Sequence, residues 1–149
     1  MPVDAIFVAI HVVIAPAWVA LIFAPRWRGT QLIAHSVAVP LLLGAVYGAL
    51  LTAAIGFGQA AEGAGMSSLA AISALFSHPV GVLTGWTHYL VFDLFVGAWI
   101  ARDAQRRSVP HALVVPALIL TLMFGPLGLL LYLVGRSALR RGGWSLNEA

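Results

Sequence analysis

The charged residues of this chain are separated by long apolar stretches. Segments 5–25, 29–61, 63–92 and 108–135 contain no Asp, Glu, Lys or Arg. A helix needs about 20 residues to cross the hydrocarbon core of a bilayer, which is about 30 Å thick. No block of about ten residues alternates apolar and polar positions, as a barrel strand would. Because a backbone in lipid must satisfy its own hydrogen bonds, the pattern predicts membrane-spanning α-helices.

Proline and glycine residues set the predicted limits of these helices. Pro25 follows the first apolar stretch, Gly56 and Gly58 end the second, and Pro79 and Pro110 precede the last two. We therefore expect a small all-α bundle of four transmembrane helices that forms one membrane domain. The helices are expected at about residues 3–24, 31–57, 80–101 and 111–135, with a short interfacial helix at about 67–76 and a polar tail at 136–149.

The composition excludes an ordinary soluble domain. Hydrophobic residues make up 61% of the 149 positions and charged residues only 9%, so too few polar side chains are present to cover a soluble surface. The mean hydropathy of +0.97 agrees. The absence of cysteine excludes disulfides, thiolate metal sites and thiol catalysis. No nucleic-acid partner is needed to explain the net positive charge.

All eight cations are arginines, and they cluster beside the apolar stretches, where contact with lipid headgroups is expected. Five belong to the two predicted short loops, and three follow the fourth predicted helix. This small excess favours a cytoplasmic location for the short loops, with both termini outside. The two groups are Arg26, Arg28, Arg102, Arg106 and Arg107, and Arg136, Arg140 and Arg141.

Two pairs of glycines have the four-residue spacing that lets membrane helices approach closely. Gly44 and Gly48 form one pair, and Gly81 and Gly85 form the other. The partner of each pair is either another helix of the chain, which we favour, or a second copy, which would make the protein a homo-oligomer.

Asp93 lies in the middle of the third predicted helix, where a carboxylate costs about 2.5–3.5 kcal/mol on insertion scales. Exclusion of water disfavours its charged form, so we expect a carboxylic acid that can donate a proton. The alternative is a structural hydrogen bond to Tyr47 or to a backbone carbonyl.

His88 is the second candidate for acid or base chemistry. On an ideal helix it is about 140° around and 7.5 Å along the axis from Asp93, so the two do not form a hydrogen-bonded dyad. His11, Tyr47 and His88 come out at similar depths, and whether His11 meets His88 is left open. A metal site from His11, His88 and Asp93 is conceivable, but no His-x-x-His or Glu-x-x-His pair supports it, and we expect no metal or cofactor. His35 and His111 fall at the arginine-rich interface.

Aromatic side chains accompany these polar residues and suit a long conjugated or isoprenoid ligand. Core packing and interfacial belts are the more frequent uses of such residues. The candidates for ligand binding are Trp18, Trp86, Phe92, Trp99 and Phe124.

The run Gly85-Trp86-Thr87-His88-Tyr89-Leu90-Val91-Phe92-Asp93-Leu94-Phe95-Val96-Gly97-Ala98-Trp99-Ile100-Ala101-Arg102-Asp103 resembles the signature helix of the abscisic-acid-deficient-four-like family. Phe124-Gly125-Pro126-Leu127-Gly128 and Gly44-Ala45-Val46-Tyr47 match in order, so the similarity covers nearly the whole chain. The resemblance implies a small membrane protein of carotenoid metabolism, similar to neoxanthin synthase, which isomerises an epoxy-carotenoid to an allenic product without a redox cofactor. Its matched positions are Tyr47, Trp86, His88, Asp93, Asp103 and Pro126.

If this protein is an enzyme, Asp93 fits the acid at the epoxide oxygen and neutral His88 fits the base at the neighbouring vinylic proton. Tyr47 or Tyr89 would hold the oxygen. No transit peptide precedes the first apolar stretch, which favours a bacterial inner-membrane protein with several spans. The competing interpretation is a non-catalytic subunit that binds a carotenoid pigment or another isoprenoid lipid. An ion pathway is disfavoured, because only one carboxylate lies deep in the membrane.

Overall fold

The computed structural model of the protein describes residues 2–142 and residue 146, and this part of the chain contains seven α-helices and no strand. The all-α class predicted from the sequence is confirmed. The predicted polar tail falls outside the described residues beyond residue 142, apart from residue 146. The helices are α1 (Val3–Phe23), α2 (Arg28–Ile33), α3 (Ala38–Gly56), α4 (Leu69–Leu75), α5 (Pro79–Arg106), α6 (His111–Phe124) and α7 (Pro126–Ala138).

Most helix limits follow the prolines, as expected. Helix α1 ends two residues before Pro25, and α5 begins at Pro79, where the missing N–H has no helical partner to lose. Helix α5 continues five residues beyond its predicted end at residue 101 and stops before Ser108, whose φ is 53°. A short helix, α4, occupies the segment predicted to form one at 67–76, and the Ser68 hydroxyl caps it by accepting a hydrogen bond from Ala71 N.

The second apolar stretch forms two helices, α2 and α3, instead of the single helix predicted at 31–57. The backbone bends at residues 34–37. Pro40 has no N–H to donate to the carbonyl of Ser36, so it can stand in the first turn of α3 but not inside a helix that continues from α2.

The last apolar stretch forms a helical hairpin, whereas one continuous helix was expected at 111–135. Helices α6 and α7 are separated only by Gly125, whose φ of +47° reverses the chain, and Pro126 starts α7. Helix α7 packs antiparallel on α6, because Gly128 lies against Thr121 while the later Gly135 lies against the earlier Leu113. The end of α7 therefore returns to the level at which α6 begins.

Three stretches are long and apolar enough to cross a membrane: Val3–Phe23, Arg28–Gly56 and Pro79–Arg106. Helices α6 and α7 have 14 and 13 residues, which at 1.5 Å per residue gives each a length of about 20 Å, against a hydrocarbon core of about 30 Å. The structure thus agrees with a helical membrane protein, and the fourth predicted span is not confirmed.

The chain divides into two compact units. Unit 1 comprises Met1–Val13 and Val37–Val91, and unit 2 comprises Ile14–Ser36 and Phe92–Ala149. Whether they form the single membrane domain expected from the sequence stays a prediction. The core of unit 1 is aliphatic and includes Ile10, Leu43, Leu50, Leu83 and Leu90. The core of unit 2 includes Trp18, Leu21, Ile100, Leu118 and Tyr132.

The two glycine pairs have different surroundings in unit 1. Gly81 packs against the Leu75 carbonyl and Gly85 against the Phe76 ring, so this pair serves packing within the chain. A Cβ at Gly44 or Gly48 would meet no atom within 4 Å. Self-association through Gly44 and Gly48 stays a prediction.

All eight arginines belong to unit 2 and lie at one of its ends. Gln105 Nε2 donates to the Pro25 carbonyl at 3.1 Å, which joins the end of α5 to the turn that carries Arg26. Arg136 binds Asp103 in the last turns of α5, so α7 brings its arginines to the same end. The expected division of five arginines against three is therefore replaced by eight on one side, and the end of α7 lies on that side instead of the opposite one. A cytoplasmic location for this side stays a prediction.

Candidate functional site

Unit 1 has an open cavity of about 780 Å³, within the usual range for small-molecule sites. Its walls come from α3, α4, the first turns of α5 and the segment 60–66, and most of them are apolar. Three polar side chains line it: Tyr47, Thr84 and His88. The Thr84 hydroxyl donates to the Val80 carbonyl at 2.6 Å, so its proton is already used. Tyr47 and His88 are therefore the lining side chains able to exchange a proton with a ligand.

Tyr47 on α3 and His88 on α5 lie side by side on this wall. Their ring centroids are 5.7 Å apart, with the ring planes at 50°. Both had been predicted as site residues at similar depth, and the structure brings them together on one cavity. The helical periodicity of α5 explains the arrangement: Gly81, Thr84, Gly85 and His88 recur at three- and four-residue spacing and line the same cavity.

A second cluster of rings in unit 1 contains His11, whose partner was left open by the sequence. His11 Nδ1 donates to the Phe7 carbonyl at 2.7 Å, and His11 Nε2 accepts from Trp86 Nε1 at 3.2 Å. This pair of partners assigns a neutral imidazole with its hydrogen on Nδ1. Trp86 also stacks on Tyr89, with ring centroids 5.6 Å apart. His11 thus meets Trp86 instead of His88, and Tyr89 packs on the outer side of that cluster.

Asp93, the buried acid predicted from the sequence, belongs to unit 2. It is 7% exposed and lies against Gly125, where an added Cβ would come 2.8 Å from Oδ1. The positive φ of Gly125 and this close carboxyl both require glycine at the reversal. Asp93 does not line the cavity of unit 1. Its role as the proton donor stays a prediction.

The remaining aromatic candidates divide into buried and exposed side chains. Trp18 is 3% exposed and packs against Gly97, and Trp99 meets the Tyr132 ring edge-on at 5.9 Å. Phe92 and Phe124 are more than half exposed. Contact of these four with a ligand stays a prediction.

A buried cluster of polar side chains in unit 2 was not predicted as a site. Asp103 Oδ2 accepts from the Tyr132 hydroxyl at 2.6 Å and from Arg136 Nη1 at 2.5 Å, while Oδ1 accepts from Arg107 Nε at 2.7 Å. The Arg136 guanidinium also lies over the Trp99 ring, 5.6 Å from its centroid. Bonding to Asp103 raises the pKa of Arg107, which keeps this cation charged. We call Asp103, Arg107, Tyr132 and Arg136 the Asp103 cluster.

The spacing of Asp103 and Arg107 signals an i,i+4 ion pair, so half of this cluster was visible in the sequence. Arg136 was expected on the opposite side of the membrane, and only the reversal at Gly125 brings it to Asp103. Among the residues that the structure describes, no three His, Asp or Glu side chains are placed to share a metal ion.

A comparison with protein families gives a match to the model described as ABA DEFICIENT 4-like over residues 5–132. No curated protein matches the chain, and no solved structure matches it.

Proposed function

The chain belongs to the ABA4-like family of carotenoid-related membrane proteins, and on that premise we propose that the cavity of unit 1 binds one end ring of a carotenoid or related isoprenoid and isomerises it by acid and base catalysis. The observation that supports this most directly is the pair of Tyr47 and His88 on an otherwise apolar wall. A cavity of this size accommodates the cyclic end of a carotenoid.

An isomerisation of an epoxide to an allenic alcohol needs one proton removed from carbon and one delivered to oxygen. In the proposed reaction neutral His88 removes the vinylic proton, and that C–H electron pair forms the new double bond as the ring C–O bond breaks. The oxygen takes the hydroxyl proton of Tyr47. Protonated His88 then returns a proton to Tyr47, whose ring is its neighbour, so the protein is regenerated and the substrate keeps its composition.

The apolar wall supports this chemistry, because it limits the access of water, which would otherwise open the epoxide by hydrolysis. No electron is transferred in this sequence of steps, in keeping with the absence of a redox cofactor from the reaction that the family resemblance implies.

The proposal is tested in membranes that contain the protein, incubated with an epoxy-carotenoid and assayed by chromatography for a product of equal mass. His88→Asn and Tyr47→Phe are each expected to lower the rate at least about 100-fold, the usual minimum for a lost general acid or base. His78→Asn is the matched control, because His78 lies outside the cavity and Asn can replace its hydrogen bond from Val80 N.

Asp93→Asn separates the two candidate acids. A loss of turnover in Asp93→Asn with Tyr47→Phe fully active would return the proton donor to Asp93 and remove Tyr47 from the mechanism. Pigment that purifies with the protein and is never converted would favour the non-catalytic binding subunit. Full turnover by both His88→Asn and Tyr47→Phe would refute the assignment of the cavity as the active site.

A further inference from the structure

Unit 2 contains a cavity of its own, of about 570 Å³, at the end that carries the arginines. It lies where α1 turns into α2 and where α5 leads to α6. Its apolar walls include Ala101, Ala104 and Val114, all buried or nearly so. Its polar lining consists of Arg26, Trp27, Gln105, Ser108 and His111.

The polar side of this cavity is held in place by hydrogen bonds between its own walls. Gln105 Nε2 donates to the Pro25 carbonyl at 3.1 Å, and His111 Nε2 donates to the Ile22 carbonyl at 3.0 Å. These bonds fix the turn after α1 against the end of α5 and the start of α6. The cavity is therefore formed before any ligand arrives, which lowers the entropic cost of binding.

The charge of this end favours an anion. In the part of the chain that the structure describes, no hydrogen bond or ion pair engages the Arg26 guanidinium. Asp103 is the carboxylate that the described residues place at this end, and both of its oxygens already accept from the Asp103 cluster. A guanidinium that lines a cavity, beside the Ser108 hydroxyl, matches the oxygens of a phosphate group.

The position of the cavity favours a lipid as the source of that phosphate. Helix α1 is one of the three stretches able to cross a membrane, and the cavity begins at its last residue, Phe23, the level at which headgroups are expected. Trp27, 59% exposed, stands on its rim as residues of the aromatic belt do. We infer that this cavity binds the phosphate of an anionic phospholipid through Arg26, with the acyl chains against the apolar outer faces of the helices.

The test measures binding of phosphatidylglycerol and phosphatidylcholine to the full chain in detergent, by native mass spectrometry over a lipid titration. Arg26→Gln is expected to weaken phosphatidylglycerol binding at least about tenfold, because it removes one charge-assisted hydrogen bond to the phosphate. Arg26→Lys should recover part of the affinity. Arg28→Gln is the matched control, because it removes the same charge two residues away from a side chain outside the cavity.

Three outcomes would overturn the inference. Equal losses in Arg26→Gln and Arg28→Gln would mean diffuse attraction to the arginine-rich end. Equal affinity for phosphatidylcholine would remove the preference for an anionic lipid. Competition by inorganic phosphate at the same concentration as phosphatidylglycerol would make free phosphate the ligand. The elution volume and helical circular dichroism of each variant establish that it is folded.

Discussion

Replacing Arg136 by Met tests whether the Asp103 cluster holds the helical hairpin in place. The side chains of Arg136 and Asp103 are 0% and 1% exposed, so the charge left behind on Asp103 would gain no water. Arg107 would remain as its only cationic partner, and that side chain is partly solvated. Met preserves most of the apolar stem, which limits the change to the loss of the guanidinium.

The expected cost follows from the burial of the pair. Removing one partner of a buried ion pair typically costs about 3–5 kcal/mol, because the other charge stays buried. The lost stacking of the guanidinium on Trp99 is contained in that figure. For a chain of this size, such a loss lowers Tm by roughly 10 °C.

The assay is thermal unfolding in detergent, followed by tryptophan fluorescence. Asp103→Asn combined with Arg136→Met should recover at least half of the loss, since Asn leaves no unpaired charge and still accepts from Tyr132. Arg140→Met is the control, because Arg140 is an exposed arginine just beyond α7. A Tm of Arg136→Met within about 2 °C of the parent protein, or no recovery in the double variant, would refute the reasoning.

Two further predictions concern the reversal of the chain at Gly125. Gly125→Ala should lower the free energy of unfolding by about 1–3 kcal/mol, because the φ of Gly125 is +47° and Asp93 lies against it. Gly44→Ala is the control and should cause no loss, because a Cβ at Gly44 would meet no atom within 4 Å. Chemical denaturation measures the free energy of unfolding of both variants. The hairpin also predicts that a membrane-impermeant maleimide labels Arg106→Cys and Arg140→Cys from one side and Asp4→Cys from the other, against a background without cysteine. Labelling of Arg140→Cys from the side of Asp4 would contradict the hairpin and restore a fourth span.

Features that depend on local sequence were predictable. Proline lacks a donor, so Pro25, Pro79 and Pro110 mark helix limits in the sequence and in the structure alike. The hydropathy of segment 108–135 was equally visible, but it has the same value for one long helix and for two short ones. Pro126 forbids an unbroken hydrogen-bond ladder in either case. Whether Gly125 bends the axis or reverses it depends on its φ, which packing decides.

In the candidate sites, too, local features were predictable from the sequence and contacts between helices were not. The similar depth of Tyr47 and His88 was visible in the sequence, because depth in the membrane is a count of residues along each helix. Their contact and the partner of His11 were not, since equal depth does not define which helix faces which. Arg136 lies 33 residues from Asp103, and their meeting depends entirely on the reversal between α6 and α7.

The end of the family match has a practical consequence for anyone shortening this protein. The matched segment closes at residue 132, one helical turn before Arg136. A fragment cut at that boundary would retain Tyr132 and Asp103 but discard Arg136, the buried cation that pairs with Asp103. Expression trials should therefore extend past Ala138, the last residue of α7. A product that ends where the family match ends would lack Arg136, and its instability would say nothing about the stability of the intact protein.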